Sequence, residues 1–376
     1  MKPLFSTILA ALLLAGCGDE TPPPPTDTTG AAPHAPPVTV ETVVRGLEHP
    51  WSIVFLPEAE WLVTERAGRL RRIRDGKLDP TPVPGAPRVA AGGQGGMLDL
   101  ALHPDFFRNR LLYISYATHC EDGGRTTAVG RGEYRDGTLQ NFAPVFIARA
   151  CTDTGQHFAG RMLFDRQGYL YLTIGDRGER DRAQDGSDHV GTVVRLHDDG
   201  RIPKDNPFID DPTMDDAIWS YGHRNPQGIA LHPDGEQIWL HEHGPRGGDE
   251  INRILPGRNY GWPLVTHGRE YYGPKIGVPD MEGMEPPLKH WTPSIAPSGM
   301  TFYQGVVFPH WQGDLFVGAL AGQHLARVRF DGLKEMEEEK LFNELARFRD
   351  VRTGPDGFLY LLTDAPNGAI LRLKPL

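Results

Sequence analysis

The chain has 376 residues, a formal net charge of -10, 45 glycines and 34 prolines. An acidic chain does not hold nucleic acid by charge, so any basic cluster in it is informative. Turn residues run the whole length, which favours an all-β fold of short strands over long helices and fits one repeat-built domain.

Residues 1–17 read as an export signal. Lys2 supplies the positive start, and the apolar run Leu4–Ala15 is shorter than the ~20 residues a membrane-spanning helix needs. It ends in Leu14-Ala15-Gly16-Cys17, which resembles a bacterial lipobox whose cysteine is lipidated after cleavage. With glycine after Cys17, the resemblance implies a cell-envelope protein, lipid-anchored on the periplasmic face of the outer membrane. Residues 18–40 are proline-rich and read as a semi-extended spacer.

From residue 41 to 376 a unit recurs six times: an apolar strand, a turn rich in Pro, Asp and Gly, then a second apolar strand. It is seen at residues 51–73, 97–117, 161–176, 227–243, 299–330 and 349–373. Alternation such as Leu170, Leu172, Ile174 marks strands, and such units must stack on one another to bury their faces. Six copies imply a six-bladed β-propeller, with a pair of β-sandwiches as the alternative. The segment MEEEKLFNEL near Glu335 reads as a connector or short exposed helix. Cys120 and Cys151 each close a strand-like run; in an oxidising compartment they pair if those strands are neighbours, and otherwise are separate thiols.

The residues that carry chemistry cluster at strand entries, where propeller loops hold function. His157, in GQHFAGR, is placed to act as a base near neutral pH, and Asp176, in TIGDRG, to orient its ring. Arg224 and Asn225 lie in GHRNPQG and suit an anionic ligand. Arg347 and Arg349, in RFRD, face one way on an extended segment while Asp350 faces the other, so the paired guanidiniums call for a ligand with several carboxylates. Gly244-Pro245 can turn two carbonyls toward a hard cation such as calcium, and Asp249, Glu250 and the Tyr260 carbonyl can form another cation site. His241 and His243 would share a strand face, the alternative being a transition metal. Around Gln94, in GGQGG, glycines allow close approach to a ligand.

Taken in order, GGQGG…LALHPDF, HFAGR…TIGDRG, GHRNPQG, HGPRGGDEIN…NYGWP, WTPSIAPSG and RFRDV…PDG resemble the soluble pyrroloquinoline quinone (PQQ)-dependent aldose sugar dehydrogenases of the glucose/sorbosone dehydrogenase family. The resemblance runs from about Gly46 to the C-terminus and itself implies a six-bladed propeller. It implies oxidation of an aldose at the anomeric carbon to a lactone, with His157 as general base, Asp176 behind it, and hydride transfer to a Ca2+-bound quinone. It assigns Arg224, Asn225, Arg347 and Arg349 to the cofactor, and Gln94 and Trp291 to the wall of the site. It assigns Gly244 and Pro245 to one calcium ion and Asp249, Glu250 and Tyr260 to a second. Two positions depart from the family. Ala321 stands where glucose-oxidising relatives have a cofactor-binding Lys, a loss of about 1.5–3 kcal/mol unless another side chain such as Gln323 or His324 answers it. Gln156 stands where some relatives have Asp.

The expected partners are an aldose substrate and an electron acceptor that the sequence does not name. The expected assembly is a monomer that meets the membrane only through its lipid. Two other functions stay open: a metal-dependent propeller hydrolase such as a lactonase, which would need carboxylates converging on the axis, and a binding propeller that has lost its cofactor.

Overall fold

The computed structural model describes residues 37–121 and 123–376. The expected signal segment, Cys17 and most of the proline-rich spacer lie outside the described residues. Six antiparallel sheets of four strands form a propeller. Their inner strands are Pro50–Phe55, Met97–Leu102, Met162–Phe164, Pro226–Leu231, Pro297–Phe302 and Phe348–Thr353, each opening one of the six sequence units. The last blade is closed from the other end of the chain. Val38–Leu47 pairs with Gly368–Pro375 along its length, so strand structure starts three residues inside the stretch expected to be spacer.

Alternation within a blade has a particular meaning here. The strand Leu170–Ile174 is buried at every position, not at every second one. Leu170, Leu172 and Ile174 pack toward the second blade with Tyr113 and Val129, whereas Tyr171 packs toward the fourth with Ile229 and Leu240. Each blade is thus the filling between two inter-blade cores, and both faces of its middle strands are apolar. Truncating Leu172 to Ala would cost about 2–5 kcal/mol.

Of the segment MEEEKLFNEL near Glu335, only residues 342–345 connect blades; its acidic part is a strand. Lys334–Leu341 is the outer strand of the fifth blade, paired with Leu325–Asp331. Its carboxylates answer cations on neighbouring strands: Glu339 lies 2.9 Å from Arg327, Glu337 3.1 Å from Arg329, and Glu335 2.5 Å from Lys289. The charge run that reads as solvated is one face of a ladder.

At the axis, a closed polar network ties the blades. Arg161, from the third, donates to Asp350 of the sixth at 2.9 Å, to the Gln227 carbonyl of the fourth at 2.9 Å and to the Arg349 carbonyl at 2.9 Å. Arg352 donates to Asp99 of the second blade at 2.9 Å and to Asp350 at 3.0 Å. Ser52 of the first blade donates to Asp99 at 2.6 Å. Asp350 therefore does face away from Arg347 and Arg349, and the axial carboxylates are committed to arginines instead of converging on a metal.

Candidate active site

In each blade the inner strand begins where the second strand ends. Pro50 sits opposite Glu65, Pro226 opposite Glu242, and Phe348 opposite Thr363. The entry residues His157, Arg224, Asn225 and Arg347 therefore share one end of the channel with the exit residues Asp176, Glu242 and Asp364. Gln94, Asn225, Arg347 and Arg349 line a cavity of about 220 Å³ there, beside Trp51 and Phe158.

His157 is buried, and its Nδ1 lies 2.5 Å from Asp176 Oδ1. The other carboxylate oxygen accepts from Trp262 Nε1 at 2.8 Å, and the Gly178 N–H donates to Oδ1 at 2.7 Å. Burial raises the pKa of Asp176, but the His157 hydrogen bond and the charge of Arg224 outweigh it and hold the carboxyl below its usual range. Burial likewise lowers the pKa of His157 against the pull of Asp176, aided by Arg224 and Arg177. The pair is thus a neutral imidazole beside a carboxylate, with the Nδ1 proton held by Asp176 and Nε2 left as the base. Gly175 permits the fit, because a Cβ there would stand 2.1 Å from the His157 carbonyl oxygen. Gln94 Oε1 accepts the His157 N–H at 2.8 Å. The glycines around Gln94 admit protein more than ligand: a Cβ on Gly96 would meet the Arg66 carbonyl at 1.8 Å.

Arg224 continues the array. Its carbonyl accepts the Asp176 N–H at 2.8 Å, its own N–H donates to Glu242 at 2.5 Å, and its guanidinium lies 5.3 Å from the Trp262 ring. Nη1 donates to the carbonyls of His243 at 3.1 Å and Gly244 at 2.9 Å, while the buried Nε has no partner. Arg349 and Arg347 reach one carboxylate from either side, Asp364 Oδ2, at 3.2 and 3.4 Å.

Several expectations need correcting. Trp291 does not wall the cavity: it lies on the short outer strand Lys289–Trp291 and donates to Glu338 at 3.1 Å. Asp249 is no metal ligand, since its carboxylate is saturated by Ser294 Oγ and the N–H groups of Gly244, Ile295 and Ala296. The Gly244 carbonyl, expected to face calcium, already faces the Arg224 guanidinium. Pro245 is buried beside it. Glu250 and Tyr260 do line a small gap, with Glu242 as their companion, and burial plus the Glu242 charge push the Glu250 pKa well up. His241 and His243 form no metal pair: each ring meets a carbonyl of the next blade, Gly299 at 3.3 Å and Pro297 at 2.7 Å. Burial drives the His241 pKa down to about 3. Among the described residues, no three His, Cys, Asp or Glu side chains gather as a metal cluster. Ala321 is exposed at a turn, and His324 is buried against the Gly322 carbonyl at 2.8 Å. Gln323 stands exposed beside them at φ +50°. Neither lines the cavity. Cys120 and Cys151 are joined by a disulfide.

The sequence reading missed Arg66, which lines the cavity with no side-chain partner among the described residues, and it missed Asp364, Glu242 and Trp262. Aligning the repeats would have found three of them. Glu65 with Arg66, Asp176, Glu242 and Asp364 all sit at or just past the end of a second strand. Trp262 had no such signal, because it arrives on a long loop between the third and fourth strands of its blade.

The channel end thus holds a buried His–Asp pair and a nest of under-neutralised arginines, and the six-bladed fold itself has known relatives. The family described as Glucose / Sorbosone dehydrogenase matches residues 47–372. The chain is 45% identical over 345 residues to the aldose sugar dehydrogenase YliI of Escherichia coli, covering 90% of this chain and 93% of that one. The crystal structure of the soluble aldose sugar dehydrogenase of Escherichia coli in the apo-form superposes with a TM-score of 0.86 at 44% identity, over 90% of this chain and all of that one (100%). The PQQ-bound aldose sugar dehydrogenase of Streptomyces coelicolor gives 0.74 at 26% identity, over 90% and 100%. Fold and sequence agree, and the chain belongs to the glucose/sorbosone dehydrogenase family.

Proposed function

We propose that this chain oxidises aldose sugars at the anomeric carbon to lactones, with PQQ as the bound electron acceptor and His157 as the general base. The observation that carries this reading is charge. Arg66, Arg347 and Arg349 line the cavity, where Asp364 is the carboxylate shared by two of them, and Arg224, which lines the small gap with Glu242 at the same channel end, has its Nε buried unpaired. A planar tricarboxylate supplies the missing anionic partners, and planar guanidiniums are suited to carboxylates. Arg66 then takes the part that Ala321 cannot.

Bound PQQ would supply a two-electron acceptor; the protein supplies position and field. Loss of the anomeric hydride leaves positive charge on carbon unless the hydroxyl proton leaves with it. His157 Nε2 takes that proton. Asp176, held by Trp262 and Gly178, keeps the other proton on Nδ1 and stabilises the imidazolium that forms. The Arg224 guanidinium offers fixed positive charge beside the pair.

The carbonyl of Gly244 does not fit a calcium ion while Arg224 occupies it, so no step is assigned to a metal there. Glu242 and Glu250 beside Tyr260 do fit one, since a divalent cation would neutralise two crowded, buried carboxylates. Such an ion would brace Glu242, which holds the Arg224 backbone. At the other end of the chain, Cys17 would carry the lipid anchor; labelling with a fatty acid that Cys17→Ser abolishes is the check.

The test is reconstitution of the mature chain with PQQ and calcium, followed by dye reduction with aldoses and a parallel assay of lactone hydrolysis. Aldose-dependent reduction that falls by about 10²–10⁴-fold in His157→Ala supports the reading. Lactone hydrolysis without dye reduction, or neither activity in a folded protein that does not bind PQQ, overturns it.

A further inference from the structure

Arg177 follows Asp176 directly and is fully buried, yet its hydrogen bonds go to no acid. Its guanidinium is solvated by carbonyls. Nη1 donates to Gln156, and Nη2 to Thr154 at 3.3 Å and Arg125 at 3.4 Å. Its Cζ stands 3.4 Å from the centroid of the Phe158 ring, while its own carbonyl accepts the Thr154 hydroxyl. Nε has no partner. Four of these five contacts fall on residues 154–158, the segment that presents His157.

Backbone strain is concentrated at His157 and beside it. His157 has φ +50°, Ala159 +54° and Arg177 itself +55°, in the left-handed region that side chains other than glycine rarely enter. Such conformations persist where the surroundings over-determine them. The Cys120–Cys151 disulfide and the backbone pairing of Arg125 with Thr152 hold the approach to the segment. Beyond Thr152 the segment is held by Gln94, whose Oε1 accepts the His157 N–H and whose own N–H donates to the Gly155 carbonyl at 2.7 Å, by Thr127 Oγ1, which donates to the Phe158 carbonyl at 2.7 Å, and by the Arg177 fork. Burying a cation without an acid is costly, and burial lowers the Arg177 pKa to about 10, which still leaves it charged at neutral pH. No other amino acid offers five donors in a planar fork that also stacks on a ring.

We propose that Arg177 is a positioning residue: it helps clamp residues 154–158 in the conformation that sets the His157 ring against Asp176 at the channel end, without touching substrate or cofactor. The link to turnover rests on the reading of His157 as the base; the clamp itself does not. The charged groups facing His157 are Asp176, Arg224 and Arg177.

Two variants test this, Arg177→Met and Arg177→Lys, each read in two ways. In the full apo chain, hydrogen exchange of the peptide spanning 154–159 is followed by mass spectrometry. Exchange at least tenfold faster in Arg177→Met, with other blades unchanged, is expected. Arg177→Lys keeps the charge but cannot span the carbonyls, and exchange at least threefold faster is expected; it decides the matter if Arg177→Met does not fold. In the PQQ-loaded enzyme, kcat falls at least tenfold in Arg177→Met with the sugar KM changed less than threefold. The acid limb of its pH profile moves up, as a buried positive charge leaves and His157 gains solvent. Arg177→Lys recovers part of kcat and leaves the limb nearer the parent's. Unchanged exchange overturns the clamp, whatever the rates do. Faster exchange with unchanged kcat overturns its role in aiming His157. If the parent enzyme oxidises no sugar, the proposed function fails while exchange still decides the clamp.

Discussion

Two arginine-rich regions meet at Trp51, and they are built oppositely. Arg161 stacks 3.9 Å from that indole on the axial side, and Arg349 lies 5.9 Å from it on the pocket side. At the axis, Arg161 and Arg352 share Asp99 and Asp350, two cations for two carboxylates. At the pocket, Arg347 and Arg349 share Asp364, and Arg66 has no acid within ion-pair distance among the described residues. Arg349 and Arg352 make the contrast quantitative. Burial pulls both pKa values down, and it wins at Arg349, to about 10. At Arg352 the charges of Asp350 and Asp99 outweigh it and drive the pKa up. At the axis the guanidiniums are balanced within the chain and tie blades together; those left under-balanced at the pocket are the ones proposed to receive the ligand.

The largest effect that this contrast predicts is at the axis. Arg161→Met leaves Asp99 and Asp350 with Arg352 alone and removes a tie between the third, fourth and sixth blades. We expect a loss of about 3–5 kcal/mol in denaturant unfolding. An axial variant as stable as the parent would mean that the network is incidental to blade closure.

How much of this was legible in sequence follows from period and distance. Six strand pairs are local patterns, so the blade count could be read directly. The run Arg347-Phe348-Arg349-Asp350-Val351-Arg352 shows where legibility ends. Period two correctly sends Arg347 and Arg349 one way and Asp350 the other. It cannot say that Asp364 returns beside the first pair, or that Asp350 meets Arg161 from a residue 189 positions away. Family motifs brought His157, Asp176, Arg224 and Arg349 to one place, but a motif does not show which carbonyl is already used, as Gly244 is by Arg224. Trp291 was misjudged because its role was carried over with the motif WTPSIAPSG, and a motif does not show that its first residue ends an outer strand and turns to Glu338.

At the pocket the same kind of substitution should act on ligand and not on fold. Arg66→Ala is expected to leave stability within about 0.5 kcal/mol while weakening PQQ binding to the apo protein by about ten- to a hundredfold. Titration of tryptophan fluorescence with PQQ measures it. A stability loss comparable to that of Arg161→Met would erase the distinction between the regions. Asp364→Asn sharpens it from the other side. Burial raises the Asp364 pKa, but Arg349, His49, Arg347 and Arg66 outweigh burial and hold it far below the usual range. A depressed carboxylate stabilises the fold above its unfolded pKa, near 4, and that stability is lost as pH falls through the folded value. Asp364→Asn should therefore flatten the acid limb of stability below about pH 4, at a cost of about 1–2 kcal/mol at neutral pH. It should also tighten PQQ binding, because Arg347 and Arg349 lose their internal anion.

The smallest effect concerns the acids beside the pocket, where the imbalance has the opposite sign. Glu242 and Glu250 line one small gap with Tyr260; Glu242 meets the His223 ring at 2.9 Å and the Arg224 backbone N–H, and among the described residues no Lys or Arg side chain pairs with either carboxylate. What the gap lacks is positive charge, as the cavity lacks negative charge. Calcium should raise the melting temperature of the apo chain by about 1–2 °C, the shift that 1 kcal/mol produces in a domain of this size. Glu250→Gln removes one of the two crowded charges, so it should melt near the calcium-loaded parent and respond little to added calcium. Should calcium stabilise Glu250→Gln as much as the parent, the ion binds elsewhere. The carbonyls of Gly244 and Pro245 would then be the place to look, and Arg224 would have to swing away to free the first of them.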